Sequence, residues 1–244
     1  MMCMDFYADV IYANSTGSIA GLIVEPYLGT AGFIFPPEGW LTRLEGWAKE
    51  RNFLITFDEV QSSFGRTGKM WSMEWEDNKP DIVAVGKGIG SGATTSAILL
   101  RNELLDHIES GDLGSTNGGN PISTAACSTV LEILKEDNLI ENSRKMGAIM
   151  MRRLLEIREN SPLLGDVRGK GLAMGLELVK DKNIKEPAPD KAQALVLECA
   201  RHGLLIGIVG LYGNVIRVAP PLVITEEQVQ ESLDIMEKAL RVIS

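Results

Sequence analysis

The sequence predicts an α/β protein, a mostly parallel sheet flanked by helices and followed by a smaller α+β lobe. Two apolar runs, Phe53 to Phe57 and Ile82 to Val85, lack the alternation of a strand with one wet face, which is the habit of parallel strands covered by helices on both sides. Helix-period and strand-like segments alternate as far as Leu100. A break at Ser161 to Gly165 separates two long helical stretches from a glycine-rich strand region. The boundary is therefore set near residue 160, with a sheet lobe and its connecting helices before it and a small lobe over 161–244.

Each element follows from its residues. Residues 4–14 are mildly amphipathic and read as a helix, and Ala20 to Val24 as a strand stopped by Glu25-Pro26. After a loop marked by Gly29, Gly32, Pro36 and Pro37, Pro37 is placed to open a helix because the first helical position needs no amide donor. Trp40, Leu41, Leu44, Trp47 and Ala48 give that helix one apolar face, and it should end near Arg51-Asn52. Ser96 to Leu100 is a third strand candidate. Asn120-Pro121 is a cap followed by proline and predicts a helix start; a second helix should run from Leu139 to Asn160. Beyond the break come a strand region over Val167 to Val179, a polar loop, a helix through Leu195 to His202, and strands at Leu204 to Val209 and Asn214 to Val218. The last helix opens at Thr225, where Gln228 completes a capping box, and buries Val229, Leu233, Met236 and Leu240.

Composition narrows the function. The 244 residues carry 24 basic and 33 acidic side chains, a formal charge of −9. An acidic surface argues against nucleic acid or an anionic membrane as the partner. The longest apolar run, Gly203 to Gly213, is too short for a bilayer, and the N-terminus lacks a signal-peptide pattern. Three cysteines, Cys3, Cys127 and Cys199, without metal-ligand spacing read as reduced thiols in a cytoplasmic protein, and two distant histidines suggest no metal site.

Three places put polar groups where this architecture holds its sites, at strand carboxyl ends. In Phe57-Asp58-Glu59-Val60-Gln61, a carboxylate follows an apolar run. It can be a loop cap, a magnesium-holding carboxylate, or a partner for a cationic cofactor nitrogen. In Val85-Gly86-Lys87-Gly88-Ile89-Gly90-Ser91-Gly92 the spacing fits neither a P-loop nor a dinucleotide fingerprint. Lys87 can be a solvated surface charge, or a partly desolvated amine able to act as a Schiff-base nucleophile. In Ser115-Thr116-Asn117-Gly118-Gly119-Asn120-Pro121, helix capping accounts for Asn120 alone; the other hydroxyls and glycines suit a phosphate.

Together these stretches resemble the class III pyridoxal-phosphate aminotransferases, the omega-aminotransferases that include the 4-aminobutyrate and ornithine enzymes. The resemblance also rests on Val24-Glu25-Pro26, Phe64-Gly65-Arg66-Thr67-Gly68, Val167-Arg168-Gly169-Lys170-Gly171 and Asn214 to Pro221, all in the family's order. It implies a fold-type I transferase with an incomplete large domain and a small C-terminal domain, working as a transaminase on an amino donor and a 2-oxo acid with pyridoxal 5'-phosphate. By resemblance, Lys87 carries the cofactor and moves the substrate proton, Asp58 pairs with the pyridinium nitrogen, Gln61 lies near the phenolic oxygen and Val60 against the ring. Thr116 matches the threonine that reaches the phosphate of a neighbouring subunit's cofactor, which implies a homodimer with shared sites. Arg217 matches the arginine that binds a substrate carboxylate, for which its planar fork is suited.

Two departures qualify the resemblance. Thr30 stands where the 4-aminobutyrate and ornithine branch carries a glutamate that pairs with this arginine. It cannot neutralise Arg217, which leaves room for α-amino acids. The family's phosphate-binding glycine-serine turn and ring-stacking aromatic are missing, so the chain is expected to be N-terminally truncated and to bind the cofactor weakly or not at all by itself. A racemase or decarboxylase on the same scaffold, a magnesium-dependent nucleotide-binding module, and an inactive fragment with an assembly role are the alternatives.

Overall fold

The structure is a computed structural model that describes residues 2–244, with side chains from Met4 onward. Cys3, read above as a reduced thiol, lies outside the side chains described. The chain divides into two compact units: one holds the residues up to Pro26 with Pro36–Gln61 and Met73–Leu131, the other Tyr27–Phe35, Ser62–Ser72 and Glu132–Ser244.

In the first unit, β1 (Gly21–Val24), β2 (Leu54–Asp58), β3 (Ile82–Val85) and β4 (Ala97–Leu100) form one sheet in that order. β1, β2 and β3 are parallel, and β4 is antiparallel to β3. The helices are α1 (Met2–Ala13), α2 (Trp40–Glu50), the single turn α3 (Asn102–Leu105) and α4 (Pro121–Glu136). Leu41, Leu44 and Ala48 of α2 pack on Ile55 and Phe57, with Tyr7 of α1 and Val24 at the margin. The expectation of strands covered on both faces does not hold here. Only alternate residues of β2 and β3 are buried, and Ile23, Leu54 and Ile98 on the other face are exposed.

Pro37 does not open α2. The helix starts three residues later, where a distant carboxylate caps it: Glu76 accepts from the amides of Gly39 at 3.0 Å and Thr42 at 3.1 Å. Asn120 does cap α4, its Oδ1 accepting from the Ser123 amide at 3.0 Å, while Ser123 Oγ donates to the Thr94 carbonyl at 3.2 Å.

The second unit is built on β5 (Leu164–Lys170), β6 (Ala173–Leu178), β7 (Gly207–Val209) and β8 (Val215–Val218), antiparallel in the order β5-β6-β8-β7. The single glycine-rich strand region of the sequence is thus a hairpin turning at Gly171. Against the sheet lie α5 (Leu139–Asn160), α6 (Pro189–Arg201) and α7 (Glu226–Ile243), burying Met150, Leu154, Leu176, Leu195, Ile216 and Leu233. By its packing α5, which precedes residue 160, goes with this unit. The capping box at Thr225 and Gln228 is formed as read. On the side away from that helical core, Tyr27 and Phe33 of the loop 27–35 pack with Ala173, and Arg168 donates from Nη2 to the Gly32 carbonyl at 2.7 Å.

The glycines of the Arg168 motif have a packing reason. Gly171 sits at φ 54°, and a methyl on it would lie 2.3 Å from the Thr67 carbonyl carbon. A methyl on Gly147 of α5 would lie 2.2 Å from the Gly171 carbonyl oxygen. Loop, hairpin turn and helix therefore meet backbone to backbone.

Cys199 is fully buried in α6, and burial pushes its thiol from the usual 9.0 up to about 11. Cys127 is only half-buried. Because the thiolate is the reactive form, iodoacetamide at about pH 8 is expected to label Cys127 before Cys199, and Cys199 only after unfolding. Between those two values the unfolded chain releases a proton that the folded chain keeps. The stability linked to Cys199 is thus fully present below pH 9.0 and lost as pH rises through about 11, so the urea midpoint should fall over that window, and less so in Cys199→Ala.

Candidate active site

The polar groups singled out at the strand ends of the first unit are brought together by the sheet. Asp58 closes β2 and pairs in register with Ala84 of β3, and the Glu59 amide continues the ladder to the Ala84 carbonyl at 2.9 Å. Lys87 follows Val85 after one glycine. Adjacent parallel strands thus deliver a carboxylate and an amine to the same edge, where side chains are not needed for the core.

Local geometry leaves both groups available. Asp58 Oδ1 accepts from the Val60 amide at 3.1 Å, which fixes the carboxylate and turns the chain after β2. Its second oxygen has no hydrogen-bond partner among the described residues. Lys87 is exposed and makes no hydrogen bond or ion pair among the described residues. It opens a short 3-10 turn, Lys87–Ile89, at φ 43°, a left-handed conformation that costs a non-glycine residue roughly 1–2 kcal/mol. Val60 packs behind the turn, since a methyl on Gly86 would lie 3.3 Å from Val60 Cγ1. Gln61, half-buried, follows directly.

These groups fit pyridoxal phosphate: an uncommitted amine for its carbonyl, a half-free carboxylate for its ring nitrogen and an apolar side chain for its face. Thr116 is not joined to them. It is exposed in the turn before α4, and no hydrogen bond among the described residues links it to Lys87 or Asp58.

Arg217 is on β8 in the second unit, exposed, in register with Gly175 on one neighbouring strand and Gly207 on the other. Neither neighbour has a side chain to crowd its guanidinium. It has no hydrogen bond or ion pair among the described residues. Thr30 is exposed in the loop packed on this sheet, its carbonyl accepting from the Gly210 amide at 2.9 Å. A cavity of about 770 Å³ in this unit includes Arg217 among its lining residues but is otherwise formed mainly by apolar residues of the β7 edge and α7; it contains none of the Lys87 group.

Sequence reading assigned no role to Arg66. Its Nη1 donates to the carbonyls of Leu172 at 3.1 Å and Pro220 at 2.6 Å, and its proton affinity is lowered by burial, an effect that Tyr27 opposes and Arg217 adds to slightly. The available signal was a lone arginine in Phe64-Gly65-Arg66-Thr67-Gly68, where Phe64, Gly65 and Gly68 all have positive φ. Among the described residues no cluster of histidine, cysteine or carboxylate could hold a metal, and no helix is long and apolar enough to cross a membrane.

A sheet with a lysine and an aspartate on adjacent strand ends, followed by an α+β unit, is the fold of the fold-type I pyridoxal-phosphate transferases. The chain belongs to the class-III aminotransferase family, whose model matches residues 2–240. It is 40% identical over 223 residues to an alanine/serine racemase of Pyrococcus horikoshii, covering 91% of this chain and 46% of that protein. It is 40% identical over 233 residues to an ornithine aminotransferase of Exiguobacterium, covering 95% and 55%. The crystal structure of a Bacillus anthracis aminotransferase superposes with a TM-score of 0.92 at 33% identity, over 99% of this chain and 56% of that one. The chain spans about half the length of the curated relatives it matches.

Proposed function

We propose that the chain carries the reacting groups of a transaminase that uses pyridoxal 5'-phosphate to move an amino group from an amino acid or omega-amine to a 2-oxo acid. The observation that carries this reading is the strained Lys87, with no hydrogen bond or ion pair among the described residues, and the half-free carboxylate of Asp58 on adjacent strand ends. When bound, pyridoxal phosphate supplies an electron sink that eases ionisation at the amino-bearing carbon. Lys87 Nζ would hold the cofactor and would also serve to carry the proton at the substrate carbon. Asp58, through the oxygen that the Val60 amide leaves free, would keep the ring nitrogen protonated, Val60 would offer an apolar contact for the ring and Gln61 a polar one for its phenolic oxygen. Arg217 grips the substrate carboxylate with two parallel N–H bonds.

Thr116 is exposed, and its likeness to the family's threonine supports a role at a neighbouring copy's cofactor, so a homodimer with shared sites is part of the proposal. The acidic composition supports small-molecule partners rather than nucleic acid or membrane, and the cysteine pattern supports a cytoplasmic setting.

A racemase is the second reading, favoured by the likeness to the alanine/serine racemase and by Thr30 leaving Arg217 without a carboxylate partner. One assay separates them. With single-enantiomer amino acids and excess cofactor, a transaminase consumes the amino acid only when a 2-oxo acid is supplied and yields a new amino acid. Loss of optical activity without any acceptor contradicts transamination and supports racemisation.

A further inference from the structure

Arg66 and Arg217 interact electrostatically, and neither bonds to a carboxylate among the described residues. Arg66 is partly buried, and its guanidinium donates to two neutral carbonyls, Leu172 at the hairpin turn and Pro220 just beyond β8. Burial lowers the proton affinity of Arg66; Tyr27 raises it, and the charge of Arg217, the smallest of the three effects, lowers it. Two like charges near one another, one of them partly buried, repel, and an anion arriving at Arg217 relieves that repulsion.

The contacts also fix position. One guanidinium nitrogen ties the Phe64 to Gly68 loop to the hairpin turn and to the third residue after Arg217. The end of β8 is thereby held while its exposed arginine stays open between Gly175 and Gly207.

We propose that Arg66 is a positioning residue for carboxylate recognition: it anchors the strand end that bears Arg217 and adds a second positive charge to the field an incoming amino or 2-oxo acid meets. This rests on the reading of Arg217 as the carboxylate-binding arginine. Arg66 does not itself touch the substrate.

The test is glutarate binding, an unreactive carboxylate probe, measured by isothermal titration calorimetry on the whole chain at low and high salt. Wild type should bind glutarate with an affinity that falls as salt rises. Arg217→Met should abolish binding. Arg66→Met should weaken it by about tenfold and flatten the salt dependence. Arg66→Lys keeps the charge and should stay within about threefold of wild type, which a purely structural role would not predict. If Arg217→Met binds like wild type, or wild type does not bind, the reading of Arg217 fails. If Arg217→Met loses binding while Arg66→Met keeps it, only the inference about Arg66 fails. Should Arg66→Met not fold, Arg66→Lys decides: a loss as large as that of Arg217→Met overturns the electrostatic role.

Discussion

On the proposed reading, Lys87→Ala should reduce amino-group exchange by at least about 10³-fold, because one side chain would both hold the cofactor and move the proton. No neighbour can replace it. Asp58 is acidic and fixed by the Val60 amide, and Gln61 is neutral. The fold should survive the change, since Lys87 is exposed, makes no hydrogen bond or ion pair among the described residues and sits in a left-handed turn in which any non-glycine residue is strained. Alanine leaves that backbone cost in place while removing the amine. Unchanged circular dichroism with lost exchange is the expected pair of results. Retained exchange in Lys87→Ala would remove the basis of the proposed chemistry.

Gly147→Ala is expected to destabilise the second unit by about 3 kcal/mol or more, the upper range for forcing an extra methyl into a packed site. The argument depends on which of two opposing effects wins. Alanine in mid-helix is favoured over glycine by roughly 1 kcal/mol. At Gly147, however, the new carbon would lie 2.2 Å from the carbonyl oxygen of Gly171, a backbone atom that cannot rotate away, and Gly171 is itself pressed on Thr67. Helix α5 would have to leave the hairpin. Gly46 of α2 is the control, because nothing lies within 4 Å of a methyl added there. Gly46→Ala should be neutral or raise stability by up to about 1 kcal/mol. Urea unfolding of both variants checks the contrast, and a Gly147→Ala chain as stable as wild type would disprove the backbone contact.

What could be read from the sequence was whatever depends on near neighbours. β3 and α5 fall on their expected residues, and the caps at Asn120 and Thr225 form as read, because each signal lies within a few residues of its effect. The start of α2 was not readable, since the group that caps it, Glu76, is 37 residues away from Gly39 in the chain. Nor was the direction of β4, which a local apolar run does not specify. The site divides in the same way. Asp58 and Lys87 announce themselves by ending apolar runs, whereas Arg66 acquires its meaning from Leu172, Pro220 and Arg217, all more than a hundred residues on. The glycines of the Arg168 motif were visible as a pattern, but only the meeting of Thr67, Gly147 and Gly171 explains them.

The central claim is that Lys87 is the amine that takes the cofactor. Incubating the chain with excess pyridoxal phosphate, reducing with borohydride and mapping peptides by mass spectrometry tests it most directly. The cofactor mass should appear on the peptide containing Lys87 and vanish from that position in Lys87→Ala without moving to another lysine. Label absent from Lys87, or scattered over exposed lysines such as Lys49 and Lys182 to the same extent, would contradict the account.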